Sequence, residues 1–211
     1  MIILLNCSLV YQHIKMFPAE PFYLFFDTET TGLPNDYNAS PNQLDNWPRI
    51  VQIAWLLHDC EGNEMSKNEF IITPDGFSIP RSASDIHGIT TEYASEAGRN
   101  LKDVLLIFEE HCKKATYLIA HNISFDSKVL GSEFIRILSR NPVQNIPLLC
   151  TMKSSTQYCK IKRRYGGLKW PTLSELHLKL FGHDFDKAHD ALADIEATAK
   201  CFWKMRKLTL I

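Results

Sequence analysis

A run of large apolar side chains, residues 22–26, ends directly at a carboxylate, Asp27. The run does not alternate with polar residues, so it predicts a strand that is buried on both faces. Such a strand lies inside a sheet and needs a packing layer on each side. The rest of the chain must therefore supply further strands and enough helices to cover two faces.

A long loop and two more strands follow this run. Residues 32–48 are rich in Pro, Asn and Asp, which is typical of a surface loop. Residues 50–57 and 69–73 predict the second and third strands. Three consecutive strands suggest a meander.

Helical spacing of apolar residues begins after Asn100, a suitable N-cap residue. Residues 117–120 predict a short buried strand, and a helix is predicted from Phe125 to the break at residues 141–142. This alternation of helix and strand after a meander indicates an α/β fold.

Two more helices complete the predicted set. Thr172 and Glu175 have the spacing of a capping box, and Gly182 is a suitable stop for the helix that they begin. The last helix is predicted from about Asp190. No internal repeat interrupts this order, so we expect a single α/β domain.

Length and composition agree with one folded domain, since 45% of the 211 residues are hydrophobic and 22% are charged. We expect residues 21–208 to form it and residues 1–20 to be an N-terminal extension outside the core. The apolar opening residues lack a basic flank, so we predict no signal peptide, no membrane span and a cytoplasmic location. The six cysteines form no C-x-x-C pair, which indicates reduced thiols.

The net charge of −1 limits how this chain can hold a polyanion. Proteins that grip long nucleic acids without sequence preference usually have a basic surface. Any contact with nucleic acid is therefore expected to be local, with metal ions supplying positive charge.

Asp27 and Glu29 form an Asp-x-Glu pair at the end of the first strand. Alternate residues of a strand point to the same face, so both carboxylates are expected to converge. Two adjacent carboxylates repel each other unless a cation neutralises them, and oxygen ligands suit Mg²⁺ or Mn²⁺. An isolated Asp-x-Glu pair is better interpreted as part of a solvent-facing turn. This pair differs because it ends a deeply apolar strand.

Three further polar residues lie near predicted helix starts. Asp126 falls in the first turn of the helix after the short strand, Asp194 lies about one turn inside the last helix, and His189 precedes it by five positions. Taken one at a time, each is better explained as a helix-terminus acid or a solvated side chain.

Taken together, the four acids and the histidine stand in three motifs that resemble those of the DEDDh exonucleases. That family contains the proofreading subunit of bacterial replicative polymerase, ribonuclease T, oligoribonuclease and the three-prime repair exonucleases of mammals. The resemblance covers roughly residues 23–205. Its motifs are residues 25–33 (FFDTETTGL), 120–126 (AHNISFD) and 188–194 (AHDALAD), with supporting segments at 49–54 (RIVQIA) and 86–90 (IHGIT).

The resemblance implies a ribonuclease H-like fold, a mixed sheet flanked by helices. It also implies a metal-dependent 3′→5′ exonuclease that releases nucleoside 5′-monophosphates, with DNA expected over RNA. A DNA polymerase acting in trans and a homodimer are partners that the resemblance leaves open.

By the same resemblance, the acids would hold two divalent cations, Mg²⁺ or Mn²⁺. Asp27 would bridge them, Glu29 and Asp194 would complete the ion on the nucleophile side, and Asp126 would act mainly through water. His189 would be the general base. Such roles are chemically coherent, because two ions roughly 3.5–4 Å apart stabilise an in-line displacement while an imidazole accepts a proton near neutral pH.

Five residues are expected to contact the terminal nucleotide. Thr30 and Leu33 match family positions at that nucleotide, with Leu33 packing on the last base, and Asn122 and Phe125 match positions beside it. His87 would flank the same nucleotide, although a structural hydrogen-bonding role fits it equally well.

One basic segment has no counterpart in these motifs. Residues 160–169 contain five cations around Tyr165 and a Gly-Gly pair, which suits a phosphate backbone and a stacking base as well as it suits a solvated turn.

Three alternatives remain at this point. An exoribonuclease would share every catalytic residue, because recognition of the 2′-hydroxyl depends on pocket shape. A non-catalytic nucleic-acid-binding domain of the same fold would usually have lost an acid or the histidine, and all five are present. An endonuclease of the ribonuclease H or integrase type gives no reason for His189 five residues before the final aspartate.

Overall fold

The computed structural model describes residues 20–185 and 190–211. The predicted N-terminal extension lies outside the described residues except for Glu20, and so does His189. Among the helices that are described, none combines the length and the apolar character needed to cross a membrane.

The framework is a mixed five-stranded sheet in the order β3-β2-β1-β4-β5. The first three strands are antiparallel, as the predicted meander requires, whereas β1 pairs with β4 and β4 pairs with β5 in parallel. The strands are β1 (Tyr23–Thr30), β2 (Ile50–His58), β3 (Glu64–Ile71), β4 (Tyr117–Ala120) and β5 (Leu148–Cys150).

Helices flank both faces of this sheet. The described helices are α1 (Arg81–His87), α2 (Thr91–Ala97), α3 (Leu101–Cys112), α4 (Ile123–Leu138), α5 (Thr151–Cys159), α6 (Leu173–Phe181) and α7 (Ala191–Lys207). Asn100 caps α3, and the predicted capping box of Thr172 and Glu175 begins α6, which ends at Gly182 in a left-handed conformation.

The alternation of side chains along β1 divides the core into two layers. Leu24 and Phe26 pack with α3 and α4 on one face, whereas Tyr23 and Phe25 pack with α7 on the other. All four are nearly inaccessible to water, and full burial of a side chain of this kind contributes about 1.5–3 kcal/mol. The prediction of a strand buried on both faces is confirmed.

Several element boundaries differ from the sequence-based expectation. The third strand begins at Glu64 rather than at residue 69 and ends at Ile71, and α4 begins at Ile123 rather than at Phe125. The sequence did not predict four short elements, α1, α2, β5 and α5. Each of these buries few large apolar side chains and so carries little periodic signal.

The carboxyl end of β1 is distorted where the functional residues lie. The pairing of β1 with β2 is regular up to Glu29 and Gln52, and its register shifts at Thr30. Such a bulge bends a strand and re-aims its side chains. The first residue after β1 remains tied to β2, because the Thr31 amide donates to the Arg49 carbonyl oxygen at 3.0 Å.

Candidate active site

Three carboxylates converge at the end of the central strand. Asp27 and Glu29 project from the same side of β1, and Asp194 reaches them from the first turn of α7. Oxygen atoms of the three side chains lie within 4.8 Å of one another. The Asp190 side chain caps α7 by accepting hydrogen bonds from the amides of Leu192 and Ala193, which fixes the turn that carries Asp194.

The fourth acid, Asp126, lies behind this group in the first turn of α4. It is almost completely buried, and one of its carboxylate oxygens accepts hydrogen bonds from the Thr28 hydroxyl at 2.8 Å and the Thr28 amide at 3.2 Å. Thr28 is the middle residue of the Asp-x-Glu pair and points away from it. These hydrogen bonds join the second motif, residues 120–126, directly to the first, residues 25–33.

Burial of these acids, together with their crowding, raises their pKa values. Burial raises the pKa of Glu29 to about 8, with further contributions from Asp194 and Asp126. Burial, followed by the charges of Asp126, Asp194 and Glu29, also raises the pKa of Asp27 well above its ordinary value. For Asp126, burial raises the pKa to about 7 against the opposing hydrogen bonds from Thr28. Raised pKa values show that the negative charges of this cluster are costly without compensation, and a bound cation would compensate them.

The donor set fits hard divalent cations. Asp27, Glu29 and Asp194 present only carboxylate oxygens, the ligands preferred by Mg²⁺ and Mn²⁺, and no thiol or imidazole joins them among the described residues. Divalent metal is therefore a natural occupant of the cluster, while the number and identity of the ions stay a prediction. His189, the predicted base, lies outside the described residues.

Gln52 joins the two elements that carry the cluster, a role that sequence reasoning missed. It faces Glu29 across the β1–β2 ladder. Its side-chain oxygen accepts from the Ala191 amide at 3.4 Å, and its amide nitrogen donates to Glu69 at 2.7 Å. A buried glutamine within an otherwise apolar strand was the available signal.

A cavity of about 500 Å³ opens beside the acids. Glu29, Thr30, Leu33, His87 and Phe125 are among its lining residues, so four of the five predicted substrate residues meet there. Helix α1 also contributes Ser82, Ala83 and Ile86 to the cavity wall. The Leu33 side chain is 73% exposed at this cavity, which leaves its apolar surface free for a ligand.

Two of the predicted substrate residues, Thr30 and Asn122, have defined local contacts. The Thr30 hydroxyl is buried and donates to the Gly32 carbonyl oxygen at 2.7 Å, so it fixes the turn that carries Leu33. Asn122 does not line the cavity. It adopts a left-handed backbone conformation at the start of α4, and its carbonyl oxygen accepts from the Phe125 amide. Asn122 thus orients Phe125 through the main chain.

His87 lines the cavity, and the neighbouring main chain holds its ring. Its Nδ1 accepts from the Ile89 amide at 3.1 Å, whereas its buried Nε2 has no close hydrogen-bond partner among the described residues. Burial lowers the pKa of His87, opposed in part by the Thr30 main chain. Because its Nδ1 accepts from the Ile89 amide, neutral His87 carries its proton on Nε2, which is buried, so the ring serves as part of the cavity wall.

The basic segment, residues 160–169, forms a small hairpin that we call the basic hairpin. Lys162 pairs with Leu168, and the Arg163 amide donates to the Gly167 carbonyl oxygen at 3.0 Å. Lys162, Arg163, Arg164 and Tyr165 are all exposed. The cations are therefore displayed on a structured turn.

Comparison with known proteins identifies the type of domain. The RNase_T family model, described as Exonuclease, matches residues 24–202. The PolC-type DNA polymerase III of Streptococcus pneumoniae is 29% identical over 192 residues, and that of Streptococcus thermophilus is 30% identical over 193 residues. Each match covers 91% of this chain but only 12% of the relative.

Solved structures give the same fold. Exonuclease I of E. coli in complex with a dA16 oligonucleotide superposes with a TM-score of 0.71 at 22% identity. Its complex with a dT13 oligonucleotide gives 0.70 at 23% identity. Both matches cover 90% of this chain and 42% of the other. The expected ribonuclease H-like fold is confirmed, and since the family model spans most of the chain, this protein belongs to the RNase_T exonuclease family.

Proposed function

We propose that this chain hydrolyses phosphodiester bonds at the 3′ end of DNA, releasing nucleoside 5′-monophosphates, with two divalent cations, Mg²⁺ or Mn²⁺, in the acidic cluster. The observation that carries this proposal is the position of Asp27, Glu29 and Asp194 beside a nucleotide-sized cavity. An enzyme that cuts only at strand ends needs a place for the last nucleotide next to its metals.

Two comparisons support DNA as the substrate. The matched relatives are named DNA polymerases, and the matched solved structures are complexes of an exonuclease with single-stranded DNA oligonucleotides. A single strand also agrees with the net charge of −1, because a short strand end requires few phosphate contacts.

Some residues of the site bind cations or transfer a proton, and others contact the nucleotide. Asp27, Glu29, Asp194 and Asp126 hold the cations, and His189 accepts the proton of the attacking water. Bound divalent cations would activate that water and stabilise the charge on the scissile phosphate. Leu33 and Phe125 contact the terminal base, and His87 flanks the same nucleotide as part of the cavity wall. Thr30 and Asn122 act by orienting Leu33 and Phe125.

The setting of this activity is part of the proposal. We infer a domain over residues 21–208 that works in the cytoplasm, either with a DNA polymerase in trans or as a homodimer. The matched polymerases contain the related segment within much longer chains, which supports a link with DNA synthesis.

Digestion of matched oligonucleotides tests the reaction. With Mg²⁺, single-stranded DNA labelled at its 5′ end should give a ladder that shortens one nucleotide at a time, and DNA labelled at its 3′ end should release labelled mononucleotide first. Faster digestion of the RNA counterpart would make the protein an exoribonuclease. Internal cuts would indicate an endonuclease, and binding without hydrolysis would indicate a non-catalytic domain.

The basic hairpin gives a second prediction. Replacing Lys162, Arg163 and Arg164 by Ala should raise KM for long single strands, because these cations hold phosphates upstream of the cut bond. Each lost phosphate contact should reduce the slope of log affinity against log salt by about 0.7. Turnover at saturation and hydrolysis of a dinucleotide should change little.

A matched triple variant controls for the loss of charge. Lys102, Lys113 and Lys114 are exposed cations on and just after α3, and their replacement by Ala should leave the salt slope close to that of the unaltered protein. If the two triple variants behaved alike, the basic hairpin would not be a strand-binding site.

A further inference from the structure

The long loop between β1 and β2, residues 31–48, is held in one conformation by its own polar groups. The Asp36 amide donates to the Asn46 side-chain oxygen at 2.7 Å, and the Asn46 side-chain nitrogen donates back to the Asp36 carbonyl oxygen at 2.9 Å. Trp47 is buried and donates from Nε1 to the Ser40 carbonyl oxygen at 3.0 Å. The loop is thus a fixed platform.

Helix α4 anchors this platform from beneath. Arg136 donates to the Leu44 carbonyl oxygen at 2.8 Å, and Lys128 donates to the Tyr37 carbonyl oxygen at 2.6 Å. The Lys128 ammonium also lies 5.5 Å from the centroid of the Trp47 ring. The same helix carries Phe125 and Asp126, so loop and active site share one support.

Tyr37 is the large aromatic residue that this platform displays. Its side chain is 51% exposed although its main chain is tied to Lys128. Its ring centroid lies 6.5 Å from that of Phe125, with an angle of 44° between the rings. Phe125 lines the cavity for the terminal nucleotide, but Tyr37 does not. Tyr37 therefore stands at the edge of that cavity, one side chain further out.

We propose that Tyr37 forms a second nucleotide subsite, in which its ring stacks on the base next to the 3′-terminal one. The proposal rests on the exonuclease function proposed above and adds to it a residue that selects strands over single nucleotides.

The chemistry of the surface favours a base in this position. Aromatic side chains bind successive bases of a single strand regardless of sequence, because every base has a π-face. An exposed aromatic ring on a fixed support loses little conformational entropy when a base stacks on it. Lys128 places a cation at the Tyr37 main chain, and its ammonium has three N–H donors, of which the Tyr37 carbonyl uses one.

An ordinary packing role accounts for Tyr37 less well. The loop already buries Trp47 and Ala39 in the main core cluster, whereas half of the Tyr37 side chain remains in water. The ring is therefore available for a ligand without loss of the core.

Variants of Tyr37 test the subsite by equilibrium binding. With Ca²⁺ in place of Mg²⁺ to slow hydrolysis, Tyr37→Ala should raise Kd for an oligodeoxythymidylate about 5- to 100-fold, the loss that corresponds to one base–aromatic stack. Tyr37→Phe should bind nearly as well as the unaltered protein, since it keeps the ring. Tyr93 is equally exposed at 51% on α2, so Tyr93→Ala is the matched control and should leave Kd unchanged.

The position of the base is tested with a fluorescent analogue. 2-Aminopurine placed next to the 3′ end should lose its quenching in Tyr37→Ala, while 2-aminopurine at the 3′ end itself should stay quenched. If Tyr37→Ala left Kd and both signals unchanged, or weakened binding of thymidine 5′-monophosphate as strongly as that of the oligonucleotide, the subsite would not exist.

A substrate with one nucleotide distinguishes failure of the Tyr37 subsite from failure of the proposed exonuclease function. The p-nitrophenyl ester of thymidine 5′-monophosphate has no second base, and Tyr37→Ala should hydrolyse it at the normal rate. Failure of the unaltered protein to hydrolyse either this ester or any oligonucleotide would overturn the exonuclease function. Normal hydrolysis by both proteins with equal oligonucleotide Kd would overturn the subsite alone.

Discussion

Replacement of Asp27 by Asn is expected to lower turnover at least about 100-fold, because it removes a proposed ligand of the cations that would stabilise the reacting phosphate. In the absence of metal the same change should raise the free energy of unfolding, by on the order of 1 kcal/mol, since it removes one charge from a crowded acidic cluster. Activity and stability would thus move in opposite directions. Turnover on an oligonucleotide and urea unfolding in EDTA measure the two effects.

The stability of the metal-free protein is expected to depend on pH. Burial and neighbouring charges raise the pKa of Glu29 from 4.5 to about 8 in the folded protein. Between these values the folded state binds more protons than the unfolded state, so the metal-free protein should lose stability as pH rises. Asp27→Asn should flatten that decline, because Asp27 contributes to the charge of the cluster.

Metal should reverse the ranking of the two proteins. If the folded cluster is the Mg²⁺ site, Mg²⁺ should stabilise the unaltered protein by mass action but do little for Asp27→Asn. Asp103→Asn, at an exposed acid in the first turn of α3, provides a control that should keep normal turnover. Turnover of Asp27→Asn within about tenfold of normal at saturating Mg²⁺ would be too small a loss for an electrostatic ligand.

The sequence predicts the elements that have strong and continuous patterns. The apolar run of β1, the strand β2 and the amphipathic helix α3 are found where the periodicity places them. The spacing of Asp27 and Glu29 also suffices to place both carboxylates on one side of β1, because side chains of a strand alternate.

Elements held by their neighbours are harder to predict. The first half of β3 is polar and largely exposed, and its strand conformation comes from pairing with β2 rather than from its own residues. Helix α5 buries Thr151, Met152, Ser155 and Cys159, a set that is too polar to stand out as an apolar face. In both cases the tertiary partner decides the local structure.

The same division applies to the active site. Motif spacing singles out the acids, but it cannot show that Thr28 binds Asp126 or that Gln52 accepts from the first amide of α7, because these contacts join residues 98 and 139 positions apart. Tyr37 likewise gains its place beside Phe125 from the folding of a loop that has no periodic signal.

Removal of Glu133 is expected to be the most destabilising single change near the site. This acid on α4 is completely buried, and its Oε1 accepts from Arg49 Nε at 2.7 Å and from the Ile50 amide at 3.2 Å. Its Oε2 lies 2.6 Å from Arg136 Nη1. Glu133→Ala would leave two arginines without their counter-charge, and breaking a buried pair in this way costs about 3–5 kcal/mol.

A surface ion pair supplies the control for this cost. Arg140 forms two hydrogen bonds with Glu109, and Arg140 is about half exposed, so Glu109→Ala should cost less than about 1 kcal/mol. Glu133→Gln should fall between the two, because it keeps the side-chain volume and an acceptor for Ile50 but loses the charge. Urea unfolding in EDTA compares the three variants without any contribution from metal.

Loss of the Glu133 contacts should also affect the active site, because Glu133 joins the helix that carries Asp126 to the start of β2. Arg49 continues this link to β1, because its amide donates to the Thr31 hydroxyl at 3.0 Å and its carbonyl accepts from the Thr31 amide. Even where Glu133→Gln is fully folded, we therefore expect a higher KM, because the turn bearing Leu33 follows Thr31 directly. A loss below about 1 kcal/mol for Glu133→Ala would mean that both arginines regain full hydration and that the pair contributes no more than a surface bridge.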